Sequence, residues 1–130
     1  MAGQAKVESG LLVLARHFIT ALMEPRILRL RRLVMANADR FPDVGRRWYE
    51  EGFERVLATL ASTFQSLADR KLLHVDCPLL AANHFVGLLL WIPINKAMYT
   101  GDHHSDPDDL EYFAVAAVAP SLQDTVQPIG

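Results

Sequence analysis

Cysteine is nearly missing from this chain. Of 130 residues only Cys77 carries a thiol, so neither an internal disulfide framework nor a cysteine-based zinc finger can organise it. An excess of one charge is missing too. Thirteen Lys and Arg stand against 15 Asp and Glu, a net charge of −2, which excludes a polycation that coats nucleic acid. There is no Gly-rich phosphate loop, no H-E-x-x-H, no C-x-x-C and no repeat at a 20–50-residue period. Long apolar runs are short of what a membrane needs. Leu11–Ala15 is too brief for a signal sequence and runs into Arg16 and His17. Cys77–Asn95 carries no formal charge, but its strictly apolar part is Phe85–Ile94, about half of the ~20 residues that span a bilayer. It reads as a buried helix, and the chain as soluble and intracellular, with a cytoplasmic location expected.

What is present is enough apolar material for a core. Apolar residues make up 51% of the chain and charged residues 22%, a globular balance. The length suits one domain with a radius of gyration near ~14 Å.

The apolar spacing is helical throughout. Val7, Leu11, Leu14, Ala15, Phe18, Ile19 and Leu22 share one stripe, and Pro25 should end that helix and open the next. The second helix is expected to bury Ile27, Leu30, Val34 and Ala38, with Arg26, Arg29, Arg32 and Arg40 outside the stripe. Phe41-Pro42 breaks the pattern. A third helical segment follows, over residues 43–71, about 43 Å long if straight against a domain ~36 Å across. It must kink or stretch the domain, and Gly52 is its weak point. Asp76 reads as the cap of a fourth helix, residues 77–99, which is apolar on every face at its centre and contains Pro93. Such a helix must be covered all round, and five helices of this size supply little cover, so a partner subunit should complete it. A fifth helix starts at Pro107, buries Leu110, Phe113, Ala114, Ala117 and Val118, and should stop at Pro120. Residues 121–130 read as a flexible tail. The fold expected is all-α, an antiparallel bundle of about five helices in one domain, 1–130.

Single features carry little chemistry. Arg26, Arg29, Arg31 and Arg32 could meet phosphate, but they also fit a solvated helix face or a face that packs against another domain. Asp102, His103, His104, Asp106, Asp108 and Asp109 have loop-like spacing that fits no defined metal site, and capping explains the acids. His84 reads as a satisfied histidine at a helix interface, with a ligand hydrogen bond as the alternative; His17 is similar. Trp48, Tyr49, Phe64 and Trp91 fit plain core or the wall of a pocket. Cys77 at a helix start has only His74 as a nearby base. No clustered acid/base set supports an enzyme, and no cofactor or metal is expected.

Three stretches, residues 11–30, 30–61 and 74–91, together resemble the C-terminal domain of the tetracycline-repressor (TetR/AcrR) family of bacterial transcription regulators. The most specific points are the Phe41-Pro42 break, Trp48-Tyr49-Glu50 with Gly52, and the Asp76-x-Pro78 helix start. The resemblance implies an effector-binding and dimerisation domain, a homodimer whose last two helices form a four-helix bundle, and a hydrophobic small molecule as effector. It places the ligand among Phe18, Leu22, Met35, Trp48, Phe64, His84 and Leu88, and the dimer interface at Leu89, Trp91, Ile92, Asn95, Leu110, Phe113, Ala114 and Ala117. Family members begin with a helix-turn-helix DNA-binding domain that does not precede residue 5 here, so DNA is expected as a partner only through such a head. The alternative reading is a stand-alone helical dimer acting as a protein-interaction module.

Overall fold

The computed structural model describes residues 2–124 and 126–128. Helix α1 spans Ala2–Leu22 and α2 spans Pro25–Ala36. Pro25 occupies the first turn of α2, and Glu24 caps it by accepting the Arg26 amide at 3.3 Å. Helix α3 covers Pro42–Trp48, a π-helical turn covers Tyr49–Glu54, and α4 covers Arg55–Asp69. These three run on without a gap, so the expected long third helix exists and its irregularity falls around Gly52. A π turn is one of the few ways to re-aim a helix without ending it.

Helix α4 closes with paired hydrogen bonds, Leu72 N–H to Leu67 O and Lys71 N–H to Ala68 O, both 3.0 Å. This Schellman geometry puts Lys71 in the left-handed region at φ 56°. The connection beyond it contains a strand, β1 (Leu73–Val75), paired antiparallel with β2 (Val126–Pro128). Helix α5 spans Pro78–Thr100 and α6 spans Pro107–Asp124. Gly101 ends α5 at φ 74°, and its amide bonds to Ala97 O. A Cβ at Gly101 would meet only the flexible end of the exposed Arg32 side chain, so it is the left-handed backbone that favours glycine there.

The bundle stacks α1 on α6, α6 on α5 and α5 on α4. α5 lies at its centre and buries Ala81, Ala82, Phe85, Val86, Leu89, Leu90, Pro93 and Ala97. Phe85 meets Phe64 of α4 edge-on at 6.1 Å, and Leu11 and Ile19 of α1 close the other side of the core. By length and composition alone α5 is apolar enough to cross a membrane; here eight of its residues pack inside the fold.

Several boundaries differ from expectation. Cys77, not Asp76, takes the cap position of α5; the Asp76 carboxylate instead contacts His74 Nε2 at 2.7 Å. Pro120 does not end α6, which continues to Asp124. Helix α2 is rotated from the expected stripe: Leu28 is its buried residue, while Leu30 and Ala38 are exposed. Val44 is exposed as well. Of the expected tail, residues 125, 129 and 130 lie outside the described residues.

Candidate functional site

The rotation of α2 determines what the bundle encloses at one end. With Leu28 turned into the core, Ile27 and Arg31 face the gap between α2 and the α3–π–α4 segment. A cavity of about 660 Å³ opens there, within the ~300–1,000 Å³ usual for small-molecule sites. Leu22 at the end of α1 and Val86 of α5 line it. Val44, Arg47 and Trp48 come from α3, Glu51, Gly52 and Phe53 from the π turn, and Val56 and Leu57 from α4. The π turn thus supplies a wall of the cavity. At Gly52 nothing lies within 4 Å of where a Cβ would stand, so the missing side chain leaves open space.

The lining is mainly apolar, with three charged side chains. Arg47 Nε lies 3.8 Å from Glu51 Oε1, one turn on. Arg31 has no such partner among the described residues. Its guanidinium carbon sits 5.9 Å from the centre of the Phe53 ring. Its Nε is buried and has no hydrogen-bond acceptor among the described residues. Burial pushes the Arg31 pKa down from its usual value, because desolvation penalises the cation. An unpaired buried donor of this kind costs about 1–3 kcal/mol.

Of the seven residues expected to hold a ligand, Leu22 and Trp48 line the cavity. Phe18 is half-buried against the core with His17 edge-on at 5.5 Å. Met35 is exposed, as are His84 and Leu88. Phe64 is wholly inside the core. The structure therefore does not gather these five around the cavity, and the reason is helix rotation. One residue of error turns a side chain by about 100°.

Arg31 is the functional candidate that the sequence reading passed over by placing it among the solvated arginines. The signal was available, since Arg31 lies four residues after Ile27 and three before Val34, on their stripe.

The residues that the resemblance assigns to an interface divide in two. Leu89, Ala114 and Ala117 are buried within the chain, Leu110 and Phe113 pack against the core, and Asn95 donates from Nδ2 to Trp91 O at 2.7 Å. Trp91 and Ile92 are exposed, at 72% and 59%. Leu88 and Tyr99 accompany them on α5, and Tyr112 and Val115 are exposed on α6. Elsewhere, Asp102 and Asp106 act as turn and cap acceptors for the amides of His104 and Asp108 at 3.0 and 2.8 Å. No group of three or more His, Cys, Asp or Glu arranged for a metal occurs among the described residues.

These features define a class: an all-α domain with a packed core at one end and a mainly apolar cavity at the other. Residues 9–123 match the family of AefR-like transcriptional repressors, C-terminal domain, and the chain belongs to that TetR-type family. It is also similar to the crystal structure of a protein from Mesorhizobium loti MAFF303099 assigned to the TetR family of transcriptional regulators. The two share 52% identity with a TM-score of 0.86 over 89% of this chain. The chain spans 57% of that protein's length. No curated protein gives a significant match.

Proposed function

We propose that this chain is the effector-sensing and dimerisation domain of a TetR-like transcriptional regulator, and that a hydrophobic small molecule binds between α2 and the α3–π–α4 segment. The observation that carries this reading is the cavity itself: about 660 Å³, mainly apolar, with a few charged groups on its wall. That is the composition of a site that binds by burial and orients by a few polar contacts. The domain performs no chemistry of its own in this reading. It acts by population shift, the ligand favouring one spacing of two DNA-binding heads over another through a difference in affinity for the two states.

Dimerisation is supported by the exposed apolar residues of α5 and α6. Leu88, Trp91, Ile92 and Tyr99 recur at helical spacing, as do Tyr112 and Val115. A two-fold contact uses the same patch on both subunits, and it would supply the cover that α5 lacks. DNA is a partner only through a helix-turn-helix head outside these residues, and the location is cytoplasmic.

Thermal denaturation against a library of apolar small molecules tests the cavity. Binders should raise Tm with concentration, and Val56→Trp, which fills the cavity from α4, should abolish the rise. A library without effect on Tm would overturn the ligand reading. Light scattering tests the interface: the wild type should have the mass of a dimer and Trp91→Glu that of a monomer. If the chain instead pairs only with a different regulator, the protein-interaction reading replaces this one.

A further inference from the structure

We propose that the molecule this cavity takes is an acid, a carboxylate on an apolar body, and that the Arg31 guanidinium is the group that pairs with it. The inference rests on the reading of the cavity as an effector site.

Arg31 stands on the inward stripe of α2, at a position where leucine or methionine would build the same wall with no charge to desolvate. Arginine cannot escape the cost by losing its proton. Its guanidinium carbon lies over the Phe53 ring at 5.9 Å, a contact that steadies the cation but supplies no carboxylate to pair with it. Its Nε has no acceptor among the described residues, and Arg31 is one of the residues that line the cavity. Glu51, the carboxylate on the same wall, is 3.8 Å from Arg47, so the lining keeps one positive charge in excess. A neutral ligand could offer the Arg31 donors an acceptor but no counter-charge, and a cationic one would be repelled. A carboxylate matches the guanidinium fork in charge and planarity, and such bonds are strongest where water is excluded. The remainder of the lining offers apolar surface and few donors, which suits a singly charged head better than a phosphate.

Isothermal titration calorimetry on the 130-residue chain, using probes matched in body and differing in head, tests this. The pairs are decanoate with 1-decanol and 4-phenylbutyrate with 4-phenyl-1-butanol, with the neutral dye Nile red as a separate reporter of cavity entry. Each acid should bind wild type roughly tenfold or more tightly than its alcohol. Arg31→Gln should remove that preference while leaving the alcohols close to their wild-type affinities. Equal binding of acid and alcohol to wild type, or an acid preference that survives Arg31→Gln, overturns the inference and leaves the cavity reading standing. If neither pair nor Nile red binds, the cavity reading fails and the inference fails with it. Arg31→Met separates a ligand-binding arginine from a structural one. Without ligand it should melt no lower than wild type, because an unpaired cation has been removed; a large fall in Tm would show that Arg31 serves the fold instead.

Discussion

The two ends of the bundle are built differently. Helix α5 buries eight residues and α4 contributes Leu57, Leu60 and Phe64 to the same core. At the other end, α3 and the π turn bury no residue, and α2 buries Leu28 alone. The first region is close-packed, so each side chain there contributes to stability. The second encloses space, so its side chains are held by partial contacts and can be exchanged with little effect on the fold. Regions with few buried contacts are also those that open and shift most readily. That is what a site that must admit a ligand and respond to it requires.

Paired substitutions of like residues should expose this difference most sharply. Phe85, wholly buried and packed on Phe64, should cost about 3–5 kcal/mol when replaced by alanine. Phe53, half-buried on the cavity wall and stacked on Tyr49, should cost no more than about 2 kcal/mol. Urea denaturation of both variants gives the two values, and equal losses would erase the distinction between the ends.

Two glycines sharpen the comparison with opposite signs. Gly101→Ala forces a side chain into left-handed backbone, and should destabilise by about 1–2 kcal/mol. Gly52→Ala puts a methyl group into open space within a helical segment and should stabilise by about 0.4–1 kcal/mol. The same denaturation curves report both. A loss at Gly52 would mean that the π turn itself depends on glycine.

The smallest effect is expected at the bridge from α1 to α6. Arg16 donates from Nε and Nη2 to Glu111 at 2.9 and 2.6 Å. These bonds hold the Glu111 carboxyl below its usual pKa. A depressed folded-state pKa makes the contribution present above the unfolded value and lost as pH falls through the folded one, in acid below about pH 4. Both side chains are about half exposed, so salt should screen the pair. Glu111→Gln should lower Tm slightly at neutral pH and low salt, with the difference closing in acid. A constant difference from neutral to strongly acid pH would show that shape, not charge, matters at this position.

The helices were legible because their signals are local. Pro25, Pro42, Pro78, Pro107 and Gly101 mark boundaries through backbone chemistry that needs no neighbour. The Gly52 irregularity was visible as a mismatch between helix length and domain size. The all-round apolarity of α5 announced both its burial and its incomplete cover. Less legible was the rotation of each helix. On α2, both Leu28 and Leu30 are apolar, and periodicity alone does not say which one turns inward. The same ambiguity placed Phe64 in a pocket when it belongs to the core, and Leu89, Ala114 and Ala117 on an outer face when they lie inside the chain.

By itself, the sequence determined the class of the fold, its helix order and most helix ends, because propensity, proline geometry and apolar spacing act within a few residues along the chain. Only the tertiary structure decided where the empty space lies and which side chains face it. A cavity is a relation between helices: Leu22, Arg31, Trp48, Phe53 and Val86 come from five separate segments. They share a wall only after each helix has settled into the rotation that buries the most apolar surface against the others.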